Sequence, residues 1–126
     1  MKIAMWRIFK ILDIYKRVKE LKISAKTAYK FNKLCISLDS DVEFYNKELN
    51  KIIQMYAERN EDGTVKQSPD GGVQIKADQI ATAQGEIDAL WNFEADSPDI
   101  QFTIDELDEL QLSIEDFNCM LPFIKE

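Results

Sequence analysis

Apolar residues recur along this chain at helical intervals, and the places where the interval fails divide it into elements. Between residues 3 and 21, Met5, Ile8, Phe9, Leu12, Tyr15 and Val18 share one helical side, while Arg7, Lys10, Asp13, Arg17 and Glu20 share the other. That spacing predicts an amphipathic N-terminal helix within 1–23. The pattern breaks at "LKIS", where Ser24 has the chemistry of an N-cap. Ala28, Phe31, Cys35, Leu38, Val42, Tyr45, Leu49, Ile52 and Tyr56 then recur at alternating spacings of three and four. Such a repeat is the seam of a coiled-coil-like helix, so 24–59 is expected to be one long central helix. Leu34 and Ile36 widen the seam near its start and Ile53 and Met55 near its end. In between, Asp39, Asp41, Glu43 and Asn46 to Glu48 narrow it.

The second half reads as shorter pieces. Asp62-Gly63 stops the helix, and "TVKQ" and "VQIK", joined by the turn residues "SPDGG", predict a β-hairpin over 60–76. Ile80, Ala83, Ile87 and Leu90 return to helical spacing and predict an antiparallel return helix over 77–93, with Trp91 and Phe93 at its end. At 1.5 Å per residue, a helix of about 35 residues spans roughly 52 Å and a return helix of about 16 only roughly 24 Å. The N-terminal helix is therefore expected to cover the remaining, proximal half. "ADSPD" reads as a linker. Ile100, Phe102 and Ile104 alternate as in a short strand, and Ser113 with Asp116 resembles a capping box before a helix that Pro122 ends. The expected fold is a single, mainly α domain, 1–126, closing on an acidic strand–helix tail over 99–126.

Charge changes this picture by its placement. The chain of 126 residues carries a net −7. Residues 1–35 sum to +8, 36–77 to −3 and 78–126 to −12. A basic head and an acidic tail attract each other, within one chain or between copies. Leu107, Leu110, Leu112, Phe117, Met120, Leu121 and Phe123 are expected to anchor the tail on the basic proximal end. Asp105, Glu106, Asp108 and Glu109 are expected to be its most exposed acids. With Phe44, beside the narrow part of the seam, they are the candidate partner-binding residues.

Chemistry is sparse. Histidine is absent, which removes the commonest general base and metal ligand. Cys35 and Cys119 lack CxxC spacing and sit in apolar surroundings, which points to two small buried hydrophobes rather than a zinc site or a disulfide. Asp62 and Asp70 lack the EF-hand spacing, and "DSDVE" lacks its central glycine. No catalytic, metal or cofactor site is expected. The apolar N-terminal run is broken by Arg7, Lys10 and Asp13 and no small-residue cleavage site follows, so neither signal peptide nor membrane span is expected. The expected locations are a host cytoplasm or a virion.

Three stretches resemble a family of small phage and prophage proteins of unknown function, mostly from Gram-positive hosts. They are "ILDIYKRVKELKISAKTAYKFNKL", "YNKELNKIIQMYAERNEDGTV" and "LSIEDFNCMLPFI", together covering about residues 8–124. "MKIAMW" and "NFEADSPD" fall outside the likeness. The resemblance implies a phage context and a small non-enzymatic protein, and it transfers no site residue.

The leading expectation is a protein–protein interaction or assembly protein, a virion component or an assembly factor, with a homo-oligomer or other phage or host proteins as partners. An acidic inhibitor of a host nucleic-acid or defence enzyme is the alternative. The alternation of acids with Leu and Ile argues against it, because those apolar side chains need burial. A prefoldin-like holding chaperone is third. Direct nucleic-acid binding is opposed by the net charge, and no membrane partner is expected.

Overall fold

The computed structural model describes residues 2–125; Met1 and Glu126, the ends of the expected domain, lie outside the described residues. The chain is mainly helical with a small two-stranded antiparallel sheet. Its elements are β1 (Lys2–Ala4), α1 (Met5–Val18), α2 (Ala25–Ser37), α3 (Asp39–Tyr56), α4 (Ile80–Trp91), β2 (Glu94–Asp96), α5 (Ile104–Asp108) and α6 (Ile114–Met120), with single 3-10 turns at Ala77–Gln79 and Leu121–Phe123. Its residues group into two compact units. The first takes the chain up to Val42 and again from Glu94; the second is 43–93.

The core of the first unit is built around α1. Met5, Ile8, Ile11, Ile14 and Val18 are fully buried, and Phe9, Leu12 and Tyr15 are half-buried. The apolar arc is thus wider than one stripe, and its centre lies on the isoleucines rather than on the aromatic side. Phe31, Leu34, Cys35 and Leu38 of α2 join this core, with Phe31 stacked on Tyr15 and tilted against Phe102 at centroid distances of 5.9 and 6.0 Å. The C-terminal segment supplies Phe102, Leu107, Leu110, Cys119, Met120 and Phe123, so the acidic tail is part of the core. It packs chiefly on α1, where Arg7 donates to the carbonyls of Asn118 and Cys119 at the end of α6. The Asn118 carbonyl also accepts from the Leu121 N–H at the helix C-cap, and a cation there meets the negative end of the helix dipole.

Several expectations need correcting. The helix over 24–59 is interrupted at Leu38, where the Ser37 hydroxyl bonds back to the Leu34 carbonyl and the Leu38 N–H turns to Cys35. Back-bonding serines bend helices in this way, and Asp39 and Asp41 then suit the first turn of α3. Ala28, counted in the seam, is exposed. The linker "NFEADSPD" contains β2, which pairs in register with β1 through Ile3 opposite Ala95. The strand expected at Ile100–Ile104 reduces to one parallel bridge between Phe102 and Ile124, because the Thr103 hydroxyl caps α5 through a capping box with Glu106. Ile104 and Leu121, expected to be buried, are instead exposed.

The second unit holds most of α3, α4 and the segment between them. In place of a two-stranded hairpin, that segment carries three isolated antiparallel bridges: Ala57 with Ile75, Arg59 with Val65, and Gln67 with Val73. The N–H of Lys66 reaches Glu58, that of Gln74 reaches Lys66, and that of Glu58 reaches Gln74, which closes a ring. Three short segments, 57–59, 65–67 and 73–75, are therefore related by an approximate three-fold at intervals of eight residues. Two corners are matching turns. Asn60 N–H bonds the Thr64 carbonyl and Ser68 N–H that of Gly72, while Asp62 and Asp70 accept from the backbone two residues on. Gly63 and Gly71 take φ of 86° and 88°, which L side chains adopt at a cost. At the third corner Lys76 N–H bonds the Tyr56 carbonyl, and the helices stand where a turn would be.

Candidate functional site

The four tail acids expected at the surface divide into two pairs. Asp105 and Asp108 are exposed and have no ion pair among the described residues. Glu106 is only 7% exposed, and Glu109 is half-buried. This corrects the expectation of four exposed acids. The capping box turns Glu106 back over the start of α5, where its Oε1 accepts from Thr103 N–H at 2.9 Å and from the Lys30 ammonium at 2.8 Å. Burial pushes the Glu106 carboxyl up, but Lys30 and Thr103 outweigh it and hold it below the usual carboxylate range. Its Oε2 is buried without a hydrogen-bond partner.

Glu109 plays the corresponding part at α2. Its Oε1 accepts from Ser24 N–H at 2.7 Å, and its Oε2 accepts from the buried Thr27 hydroxyl. The Thr27 hydroxyl, then Ser24, hold the Glu109 carboxyl down. One carboxylate from the tail thus serves the N-terminus of a helix in the basic head, where free N–H groups favour an anion. Lys10 with Glu115 and Arg17 with Asp116 continue the ion pairing along α1. The head-to-tail attraction legible in the charge distribution is largely satisfied inside the first unit.

Phe44 lies in the second unit, 41% exposed, with its ring centroid 5.5 Å from that of Phe93. Tyr45 lies 5.6 Å from Trp91, and the Tyr56 hydroxyl bonds Glu86, which raises the Tyr56 pKa. Contacts between α3 and α4 are thus carried by aromatic pairs at one end and a phenol–carboxylate pair at the other. Around them little is buried. In the whole of 43–93, the buried residues are Ala57 and Ala83. Met55 and Ile80 are more than half exposed, and Val73, Trp91 and Phe93 are also open.

Comparison of the chain with protein-family models, with curated proteins and with solved structures found no match. Among the described residues, no group of three or more His, Cys, Asp or Glu side chains is placed to hold a metal ion, and no helix is long and apolar enough to cross a membrane. Cys35 and Cys119 are both free and buried; burial, then the charge of Asp39, pushes the Cys35 thiol up to about 12. A thiol so poised is almost wholly protonated at neutral pH and is a poor nucleophile.

Sequence reasoning passed over one feature. Lys19, Lys22, Lys26 and Lys33 have no ion pair among the described residues; Lys19 lines an open apolar groove between α1 and α2, Lys22 lies between two residues that line it, and Lys26 and Lys33 line a separate depression beside Tyr29. The signal lay in the density of bases over 16–33, seven against the single acid Glu20.

Proposed function

We propose that this chain is a non-enzymatic, phage-type assembly protein that works by binding other protein chains, as a virion component or an assembly factor. One observation carries the reading: the second unit has no large buried side chain. A unit of 51 residues normally buries several aliphatic and aromatic side chains, and one that leaves Met55, Ile80, Trp91, Phe44 and Phe93 open has apolar surface to spare. Aromatic and methionine side chains are the types that carry binding energy at protein interfaces. Phe44 with Phe93 is the expected centre of contact. The resemblance to phage proteins supports the context, and a host cytoplasm or a virion is the proposed location.

The alternative, an acidic inhibitor of a host nucleic-acid or defence enzyme, has less support. Glu106, Glu109, Glu115 and Asp116 are already engaged within the chain, which leaves Asp105 and Asp108 as the free acids of α5 and α6. Two carboxylates are a small charge with which to fill a cationic groove.

Cross-linking with mass spectrometry in cells making this protein beside its natural neighbours tests the proposal. Cross-links from Lys47, Lys51, Lys66 or Lys76 to another chain are the expected result. Cross-links confined to one chain, together with slow amide exchange across 43–93 in the isolated monomer, would mean that the unit is complete alone, and the reading fails.

A further inference from the structure

The first unit carries two surface features of opposite charge, each centred on open apolar side chains. One is the groove of about 500 Å³ between the last turn of α1, the 19–24 connection and the first half of α2. Val18, Leu21, Ile23, Ala28 and Tyr29 line it, and Tyr29 stands 67% exposed at its edge. Lys19 lines the groove, Lys22 sits between Leu21 and Ile23, and Lys26 and Lys33 flank Tyr29 in an adjoining depression. Glu20 and Asp99 are the acids nearby, so the local balance is positive. The other feature is the outer side of α5. There Ile104 is 56% exposed beside Asp105 and Asp108, next to a hollow lined by Gln111, Leu112 and Phe117.

These two features cannot meet within one molecule. On α2, Thr27 and Lys30 bind Glu109 and Glu106 and so face α5, whereas Ala28 and Asn32 face the groove. At 100° per residue Ala28 lies about 160° around the helix from Lys30. α5 is thus locked on the far side of α2 from the groove by its own capping carboxylates. An occupant with the chemistry of α5 has to come from a different molecule.

We infer that the groove between α1 and α2 receives the Ile104–Asp108 face of a second copy of this chain. Ile104 seats among Val18, Leu21 and Ile23, and Asp105 and Asp108 meet Lys19, which lines the groove, and Lys22. Charge complementarity selects the occupant: the same acidic edge that neutralises one face of the basic α1–α2 pair in cis presents its two unused carboxylates for the other face in trans. The contact joins different surfaces of identical molecules: made once it repeats head to tail, and made reciprocally it closes a two-fold dimer. The inference goes beyond the proposed function, since it uses the first unit and stands whether or not the second unit binds a different protein.

The experiment uses the full chain in sedimentation velocity up to about 0.5 mM protein, at about 20 mM and about 500 mM salt. At low salt the weight-average mass should rise with concentration to about twice the monomer value or more, and fall back towards monomer at high salt. Lys19→Glu/Lys22→Glu and Asp105→Lys/Asp108→Lys should each be monomeric with an unchanged circular dichroism spectrum. An equimolar mixture of the two should associate again, because each groove then faces a complementary charge. A wild-type monomer at low salt overturns the inference. So does association that persists in both variants and at high salt, which would place the contact on the apolar second unit. Charge variants that lose the native spectrum are replaced by Lys19→Gln/Lys22→Gln and Asp105→Asn/Asp108→Asn, for which weakened association is expected and wild-type association counts against the inference.

Discussion

Glu106 shows how one side chain is taken out of a partner surface and put into the fold. Its first oxygen is held by Lys30 and Thr103, while its second is buried without a partner. A carboxylate in this position is worth keeping only while it is charged. Because its folded pKa lies below the usual value, its stabilisation is present above the unfolded pKa of about 4.3 and is lost as pH falls through the folded value. Glu109, also held down, loses its contribution over the same acid range. Glu106→Gln should destabilise the first unit by about 1–2 kcal/mol at neutral pH, the scale of a lost charged hydrogen bond. Its melting temperature should also fall less steeply than the wild type's below about pH 4.5. Melts followed by far-UV circular dichroism between neutral and acid pH give both numbers; parallel curves would mean that Glu106 is not the titrating group.

Among the elements, helix starts were the most legible. Ser24 and Ser113 each accept the N–H expected of an N-cap, from Thr27 and Asp116, because capping is settled within four residues. The break at Leu38 was not legible, since the 3-4 seam runs straight through it and the serine back-bond responsible depends on a side-chain torsion. The pairing of β1 with β2 joins positions ninety or more residues apart, a distance over which three-residue strands leave no pattern. The acids of the candidate site could be found from composition. Which of them were free could not, because that turned on the capping box reversing Glu106. α4 offers a cleaner test of local rules. Gly85 lies inside it with nothing within 4 Å of where a Cβ would stand. Gly85→Ala should therefore stabilise the second unit by roughly 0.5–1 kcal/mol, read as a higher urea midpoint at an unchanged slope.

At the scale of the whole molecule, burial and charge are both divided unevenly. The first unit holds nearly every buried apolar side chain and most of the ion pairs; the second holds two buried alanines. Basic head and acidic tail are distant in sequence, yet both belong to the first unit, so much of the chain's charge asymmetry disappears on folding. Among what remains unspent are the pair Asp105 and Asp108, the lysines around the groove, and the apolar surface of 43–93. The molecule's means of recognition lie in what folding leaves over, and the two kinds of remainder fall in different units. Salt and apolar competitors should therefore act on them separately.

The ring of Glu58, Lys66 and Gln74 also bears on how this chain can lengthen or shorten. Removing residues 65–72 joins Thr64 to Val73, and Val73 then stands where Val65 stood, opposite Arg59, with Ala57 still opposite Ile75. The Asn60–Thr64 turn is untouched, and an ordinary two-stranded hairpin results. That deletion should retain the helical signal of the full chain, whereas removing 65–68 should not, because it takes out the 65–67 segment and Ser68 while leaving the rest of the second turn between Thr64 and Val73. Circular dichroism of the two deletions distinguishes them. For this stretch the length that can be removed while keeping the strand pairing is the octapeptide; the four-residue deletion leaves the helices joined by a strand pair out of step.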